Sequence, residues 1–405
     1  MDIGAKAIPV SIEKSHDGYQ VLREGMPYYI KGAGGSDHID RLAVTGGNSL
    51  RTWGSDQTRK VIDKAHAAGL TVTAGIWIEH QRHGFDYDDP KQVEAQISRH
   101  KKTVDKFKDH PALLMWIVGN EVWIGADNEK VWDTIETIAA YIKENDPAHP
   151  VMTVLPHVSK EEVSYIKSRC PSIDLLGFNS YGGLPTLGKD ARRFGWTGPY
   201  VVTEWGPDGA WEAKKTSWGA EIEPTTTEKE KQRLERYELI QGDSHCLGSY
   251  AFFWGQKQET TQTWFNLFLE DDSSTGGVDA LQFLWTGSYP QVRAPQISPL
   301  KLNGRMVKKN VTISTGESIE ASFSLLSGDP ETIHIRWECL PESVDKRVGG
   351  DREERPESFP VKVESKRPTV THFSAPAIPG PYRLFVYLTT PEGKSASANF
   401  PFLVQ

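Results

Sequence analysis

The 405-residue sequence predicts an α/β protein: a (β/α)8 TIM barrel over residues 1–290, then a C-terminal immunoglobulin-like β-sandwich over residues 300–405. Three observations predict it. From Tyr28 onward, short apolar runs alternate with amphipathic helical runs, which implies a parallel sheet. Eight such units fit within roughly 260 residues, the usual size of a closed barrel. Beyond Pro290, Pro295 and Pro299 the helical periodicity stops, and strand-like runs separated by turn residues replace it.

The elements follow in order. Val10–Ile12 and Tyr19–Leu22 flank the turn pair Asp17-Gly18, so a hairpin opens the chain and is placed to plug one end of the barrel. Barrel strands are expected at Tyr28–Gly32, Asn48–Trp53, Thr71–Trp77, Leu113–Val118, Val151–Leu155, Leu175–Phe178, Tyr200–Thr203 and Gly248–Phe253. Between them, Val93, Ile97, Val104 and Phe107 repeat at helical spacing, as do Val131, Ile135, Ile138 and Ile142, and Leu234, Tyr237 and Ile240. Gly69 caps one helix; Pro147 and Pro150 close another. A doubly wound open sheet is the competing arrangement. It would carry a phosphate-binding glycine fingerprint after its first strand, and Gly32-Ala33-Gly34-Gly35 lacks that spacing. In the C-terminal part, strands are expected at Ser318–Leu325, Ile333–Trp337, Val361–Val363 and Tyr382–Leu388. Trp337 is the lone Trp there, so this part reads as a structural spacer more than as a sugar-binding module.

Bulk properties narrow the function. The net charge of −8 argues against nucleic acid, whose phosphates require a basic field, and suits a neutral substrate. Cys170, Cys246 and Cys339 form no CxxC pair and read as buried thiols. No apolar run reaches the roughly 18 residues of a membrane span. Met1-Asp2-Ile3-Gly4 has neither a basic nor an apolar leader region. A secreted or periplasmic protein with its leader removed is expected, and a cytoplasmic one stays open. Thirteen Trp are a heavy load. Indole rings pack well against the C–H faces of sugars, although they also fill cores.

In such a barrel the chemistry sits at the C-terminal ends of the strands. Reading past each run gives Arg51-Thr52-Trp53, then Trp77, Glu79, His80 and His83, then Gly119-Asn120-Glu121-Val122-Trp123, His157, Asn179-Ser180-Tyr181, Glu204-Trp205-Gly206 and Trp254. Polar and aromatic groups thus gather at one mouth, as a carbohydrate site requires. Glycoside cleavage needs two carboxylates: one protonates the leaving oxygen, the other attacks the anomeric carbon or activates water. The ends of strands four and seven, carrying Glu121 and Glu204, allow either the retaining separation of about 5–5.5 Å or the wider inverting one.

The stretch His110-Pro111-Ala112-Leu113-Leu114-Met115-Trp116-Ile117-Val118-Gly119-Asn120-Glu121 resembles the acid/base strand of glycoside hydrolase family 2, and Thr203-Glu204-Trp205-Gly206 resembles its nucleophile strand. Arg51-Thr52-Trp53 and Asn179-Ser180-Tyr181 are similar to further motifs of the same barrel clan, clan A. The resemblance covers about residues 28–290 and implies a retaining β-glycosidase that needs no cofactor. It makes Glu121 the general acid/base and Glu204 the nucleophile, with Arg51 and Tyr181 supporting the Glu204 anion. Asn120 would bond the sugar 2-OH, Trp254 would floor the sugar subsite, and Asn179 and His157 are candidate hydroxyl contacts. Trp53, Trp77, Trp123 and Trp205 are candidates for flanking subsites.

The wording Gly-Asn-Glu-Val also resembles β-1,3-glucanases and glucanosyltransferases, which favours an oligo- or polysaccharide substrate of the β-1,3-glucan type. The alternatives are a transglycosylase, an exo-acting β-galactosidase, β-glucuronidase or β-mannosidase, and a silent glycan-binding protein. Glu79 is the rival carboxylate. Glu79, His80 and His83 offer too few ligands for a metal, and none is expected. Asp271-Asp272-Ser273-Ser274 reads as a solvated loop, and Asn310-Val311-Thr312 matches a glycosylation acceptor. Oligomeric state is not legible.

Overall fold

The computed structural model describes residues 6–54, 58–360 and 369–405. The chain gathers into two compact units. One holds the residues up to Trp205 together with Arg236–Trp254; the other holds Gly206–Glu235 together with Gly255–Gln405.

The first unit contains eight parallel strands: β1 (Ile30–Gly34), β2 (Ser49–Arg51), β3 (Thr71–Ile76), β4 (Leu113–Asn120), β5 (Val151–Leu155), β6 (Leu175–Asn179), β7 (Tyr200–Trp205) and β8 (Cys246–Ala251). Each pairs with its neighbours in sequence and β8 pairs back onto β1, so the barrel closes. Helices α1 (Ile39–Val44), α2 (Thr58–Ala67), α3 (Pro90–Phe107), α4 (Lys130–Asn145), α5 (Lys160–Arg169) and α6 (Leu187–Arg193) lie between consecutive strands along the chain. The barrel strands fall within a few residues of their expected places. The physical reason is double burial. Every residue of β4, Leu-Leu-Met-Trp-Ile-Val-Gly-Asn, is buried, as it must be between a packed interior and a layer of helices. In α4 the spaced residues Val131, Ile135, Ile138 and Ile142 are all buried. The start of α3 is set by Asp89, whose side chain accepts the Lys91 N–H, with Pro90 in the first turn.

The N-terminal hairpin, Val10–Lys14 with Tyr19–Arg23, closes the lower mouth. Val10 N–H donates to the Ala148 carbonyl, Tyr19 N–H to that of Ser244, and the Arg23 guanidinium to that of Pro111. Those three carbonyls precede β5, β8 and β4. Val10 and Val21 join the interior cluster of Ile30, Leu114, Met152, Leu175 and Tyr250. The glycine run of β1 is explained by packing. A Cβ on Gly32 would lie 2.4 Å from the Tyr250 ring, and one on Gly34 would lie 2.9 Å from the Trp53 ring.

The second unit is rich in β-sheet. Gly380–Thr389 pairs antiparallel with Lys394–Val404 and with His334–Pro341. A second sheet pairs Ser318–Ser322 with Val370–Ser374 and Lys301–Leu302. Residues from both sheets, among them Ile319, Phe373, Trp337, Leu384 and Phe400, share one apolar core. Trp337 packs there at 5.8 Å from Phe323 and presents no open face. The run expected as one strand at Ser318–Leu325 is two strands in different sheets, because Leu325–Ser327 turns away to pair with Gln296–Ile297. The 11-residue strand Lys394–Val404 was missed: Ala396, Ala398, Phe400, Phe402 and Val404 alternate into the core, but small side chains and Pro401 mask the pattern. The strand expected at Val361–Val363, and the leader reading at Met1–Gly4, lie outside the described residues. In the loop at Asp271, its carboxylate accepts the Ser273 N–H and hydroxyl, and Ser274–Thr275 then pairs with Lys394–Ser395. Asn310 accepts the Ser217 N–H through its side chain. The three cysteines are buried and unpaired. Among the described residues no helix is long and apolar enough to cross a membrane.

Candidate active site

The strand ends that carry the two carboxylates are irregular. The register of β4 against β5 slips between Ile117 and Asn120, and that of β7 against β6 slips between Val202 and Glu204. Such bulges re-aim the side chains that follow them. Glu121 itself has φ 52°, in the left-handed region that a Cβ resists, just after Gly119 at φ 83°. Backbone strain of this kind costs on the order of 1–3 kcal/mol and gathers at functional sites. The Glu121 N–H donates to the Val154 carbonyl at 2.8 Å, which anchors the turn to β5.

Seven of the expected residues, Arg51, Trp53, Asn120, Glu121, Asn179, Tyr181 and Glu204, form one hydrogen-bonded group. Three donors converge on the Glu204 carboxylate. Arg51 Nη1 reaches Oε1 at 2.7 Å, the Trp53 indole N–H reaches the same oxygen at 2.9 Å, and the Tyr181 hydroxyl reaches Oε2 at 2.8 Å. Arg51 is wholly buried. Its Nη2 also donates to Asn120 Oδ1 at 2.5 Å, and its Nη1 to the Thr203 carbonyl at 2.8 Å. Asn179 Nδ2 donates to Glu121 Oε1 at 2.8 Å and to Asn120 Oδ1 at 3.2 Å, while its own Oδ1 accepts the Thr203 hydroxyl at 2.8 Å. One guanidinium therefore ties the ends of β2, β4 and β7 together, and one amide ties β6 to both β4 and β7.

The two carboxylates differ in surroundings. Burial, then the charge of Glu204, pushes the Glu121 carboxyl up to about 7; the Asn179 hydrogen bond and the Arg51 and Arg82 charges oppose this. Glu204 is gripped by donors instead. A carboxyl raised by burial near a carboxylate gripped by donors is an arrangement that can serve glycoside cleavage.

The remaining expectations fare differently. His157 is exposed beyond β5, outside the hydrogen-bonded group. Trp205 and Trp254 are corrected as sugar platforms, because both have zero exposure. Trp205 packs 5.6 Å from Tyr237; Trp254 donates its backbone N–H to Gly34 and its indole N–H to His38. Phe252 and Phe253, missed in the sequence, are the rings at the end of β8 that reach the group around Glu204. Their rings lie 5.9 and 6.1 Å from Trp53, and Phe252 is 6.1 Å from Tyr181. The run Phe252-Phe253-Trp254 at the end of β8 was the available signal, and the largest ring drew the assignment. Trp53 is a donor to Glu204 as well as a half-buried ring. Trp77 and Trp123 are half-buried. Glu79 pairs with Arg99 at 2.9 Å. No group of three or more His, Cys, Asp or Glu that could hold a metal occurs among the described residues.

The family described as "Glycosyl hydrolases family 2, TIM barrel domain" matches residues 56–229. A curated β-galactosidase from Arthrobacter sp. (strain B7) is 28% identical over 110 residues, covering 26% of this chain and 10% of that protein. Among solved structures, β-glucuronidase 2 of Bacteroides uniformis superposes with a TM-score of 0.55 at 12% identity, covering 98% of this chain and 48% of that one. The Ruminococcus gnavus β-glucuronidase gives 0.55 at 16% identity, covering 69% and 53%. The Faecalibacterium prausnitzii enzyme gives 0.53 at 18%, covering 69% and 52%. The chain thus spans about half the length of these structures and a tenth of the curated relative. The barrel is similar to the family 2 glycoside hydrolase barrel over residues 56–229, the stretch that carries both Glu121 and Glu204.

Proposed function

We propose that this chain is a retaining, exo-acting β-glycoside hydrolase that releases a β-linked terminal sugar. The observation that carries the reading is the convergence of Arg51, Trp53 and Tyr181 on Glu204, near a Glu121 carboxyl that burial raises to about 7. Three donors fix the Glu204 carboxylate in one position, as a nucleophile aimed at a single carbon requires. In the first step Glu121 gives its proton to the glycosidic oxygen while Glu204 attacks the anomeric carbon, forming a glycosyl-enzyme. Glu121, now ionised, takes a proton from an incoming water, which displaces Glu204. Asn120 has its Oδ1 committed to Arg51 and Asn179. Its Nδ2 is then the donor turned to a substrate hydroxyl, and the 2-OH is the one whose contact strengthens in the transition state.

The relatives are named for the β-linked sugar they act on, galactose or glucuronic acid. This supports the exo-acting alternative over the β-1,3-glucan that the Gly-Asn-Glu-Val wording favoured.

The test is product analysis on aryl β-galactoside, β-glucuronide, β-glucoside and β-mannoside and on a β-1,3-glucan, following the anomer by proton NMR. Release of single sugars, first as the β anomer, is expected, with loss of activity in Glu204→Ala and Glu121→Ala. First appearance of the α anomer, or internal cleavage of the glucan, overturns the proposal.

A further inference from the structure

Resting on the hydrolase reading, the leaving group departs on the side of the sugar that faces Glu121, since Glu121 protonates the bond that breaks. Glu121 opens the loop after β4, the Arg82 charge on the loop after β3 reaches its carboxyl, and these two loops are fastened together. Gln81 Oε1 accepts the N–H groups of Asp127 and Asn128 at 3.0 and 3.1 Å, and Gln81 Nε2 donates to Asp127 at 2.7 Å. A Cβ on Gly125 would meet Arg82 at 3.5 Å.

Aromatic groups line both loops. On the β3 loop three rings stack in parallel. Trp77 and His80 lie 4.7 Å apart at 4°, and His80 and His83 lie 5.3 Å apart at 8°. His80 is buried, Trp77 half-buried and His83 exposed. The Arg82 guanidinium contacts His80 Nδ1 and holds the middle ring of the stack. On the β4 loop, two residues past Glu121, half-buried Trp123 rests on Trp132 and Tyr165 at 5.9 and 5.2 Å. The rings grouped around Glu204 are others: Trp53, Tyr181 and Phe252. Trp123, two residues past the acid, and Trp77, on the loop fastened to it, are therefore stacked, partly open indoles outside the hydrogen bonds that hold Glu204.

We propose that Trp77, stiffened by its stack on His80 and His83, and Trp123 form a leaving-group subsite for a flat ring with an apolar face. An aryl ring and a pyranose ring share that chemistry, and a rigid indole face recognises either without ordering cost.

The experiment uses the full chain and whichever sugar wild type accepts. It compares kcat/KM for the β-glycosyl fluoride, the 4-nitrophenyl β-glycoside and a β-linked disaccharide in wild type, Trp77→Ala, Trp77→Phe and Trp123→Ala. Fluoride fills no subsite, so its hydrolysis also reports folding. The alanine variants are expected to lose about tenfold on a ring-bearing substrate, far more than on the fluoride, with Trp77→Phe recovering most of it. Loss on the nitrophenyl substrate alone assigns the site to aryl groups, and loss on the disaccharide assigns it to glycans. Equal loss on all three substrates, or no loss on either ring-bearing one, overturns the subsite. If wild type cleaves none of the three, the hydrolase reading itself fails, and the subsite falls with it.

Discussion

Glu204 takes three hydrogen bonds from two strand ends, Arg51 and Trp53 at the end of β2 and Tyr181 past β6, and each donor is separately testable. Tyr181→Phe removes one bond to a charged group while keeping the ring; at about 1.5–3 kcal/mol, kcat/KM should fall roughly 10- to 100-fold. Steady-state kinetics on an aryl glycoside checks this, and an unchanged rate would remove Tyr181 from the site. With Glu121 as the proposed acid, its carboxyl sets the alkaline limb. Its carboxyl, raised to about 7, must be protonated to act first as acid, so kcat/KM should fall as pH rises through about 7. A dinitrophenyl leaving group needs no proton, and with it Glu121→Gln should form the glycosyl-enzyme and lose that limb. The same raised value links to stability. The contribution of Glu121 is complete below its ordinary value of 4.5 and is lost as pH rises through about 7. Of the site, the paired carboxylates, Arg51, Asn120, Asn179 and Tyr181 were legible because each ends a recognisable strand. Trp53 as a donor was not, because a sequence does not show where an indole N–H points. The glycines that make room for its ring, Gly34 among them, acquire meaning only when packed.

At the scale of elements, α5 carries a buried carboxyl that the chemistry does not use. Ser159 caps the helix by accepting the Glu162 N–H. Glu162 stands three residues later, where a capping-box carboxylate would reach back to the Ser159 N–H. Its Oε1 is instead buried without a partner, and burial raises the carboxyl to about 7. The favourable field of a helix N-terminus, about 0.3–1 kcal/mol, is smaller than the cost of burying the charge. Folded and unfolded values thus differ in the same sense as for Glu121, and stability falls between pH 4.5 and about 7. Glu162→Gln should therefore leave the protein unchanged at pH 4 and stabilise it at pH 8, by up to about 3 kcal/mol. Thermal unfolding at the two pH values decides it, and equal melting shifts at both would show that Glu162 does not titrate in this range. Barrel elements were readable because strands buried on both faces are continuous apolar runs. The turn between β5 and α5 was less so. His157 was placed by its position after a strand, yet it faces solvent.

At the scale of the molecule, the second unit is held together by a polar centre that no local pattern announces. Glu223 accepts from Lys229 Nζ at 2.5 Å, from the Thr261 and Thr263 hydroxyls at 2.6 and 2.8 Å, and from Asn399 Nδ2 at 2.6 Å. Lys229 also donates to the Thr263 carbonyl, and nearby the Ser397 N–H donates to the Thr226 hydroxyl. Segments that follow β7 and β8 in sequence are thereby joined to the last strand, across separations of up to 176 residues. Periodicity reads neighbours along the chain, so this union was invisible to it. Both Lys229 and Glu223 are buried. Removing one partner of such a pair leaves a charge without compensation, at a cost of about 3–5 kcal/mol. Lys229→Met should therefore destabilise strongly in chemical denaturation. Adding Glu223→Gln should recover a large part, because the amide oxygen keeps an acceptor for Thr261 and Asn399, its NH2 can donate to the Thr263 hydroxyl, and no charge is stranded. If the double variant is no better than the single one, the centre acts through packing of the lysine stem, and the charge pair is incidental to the unit's stability.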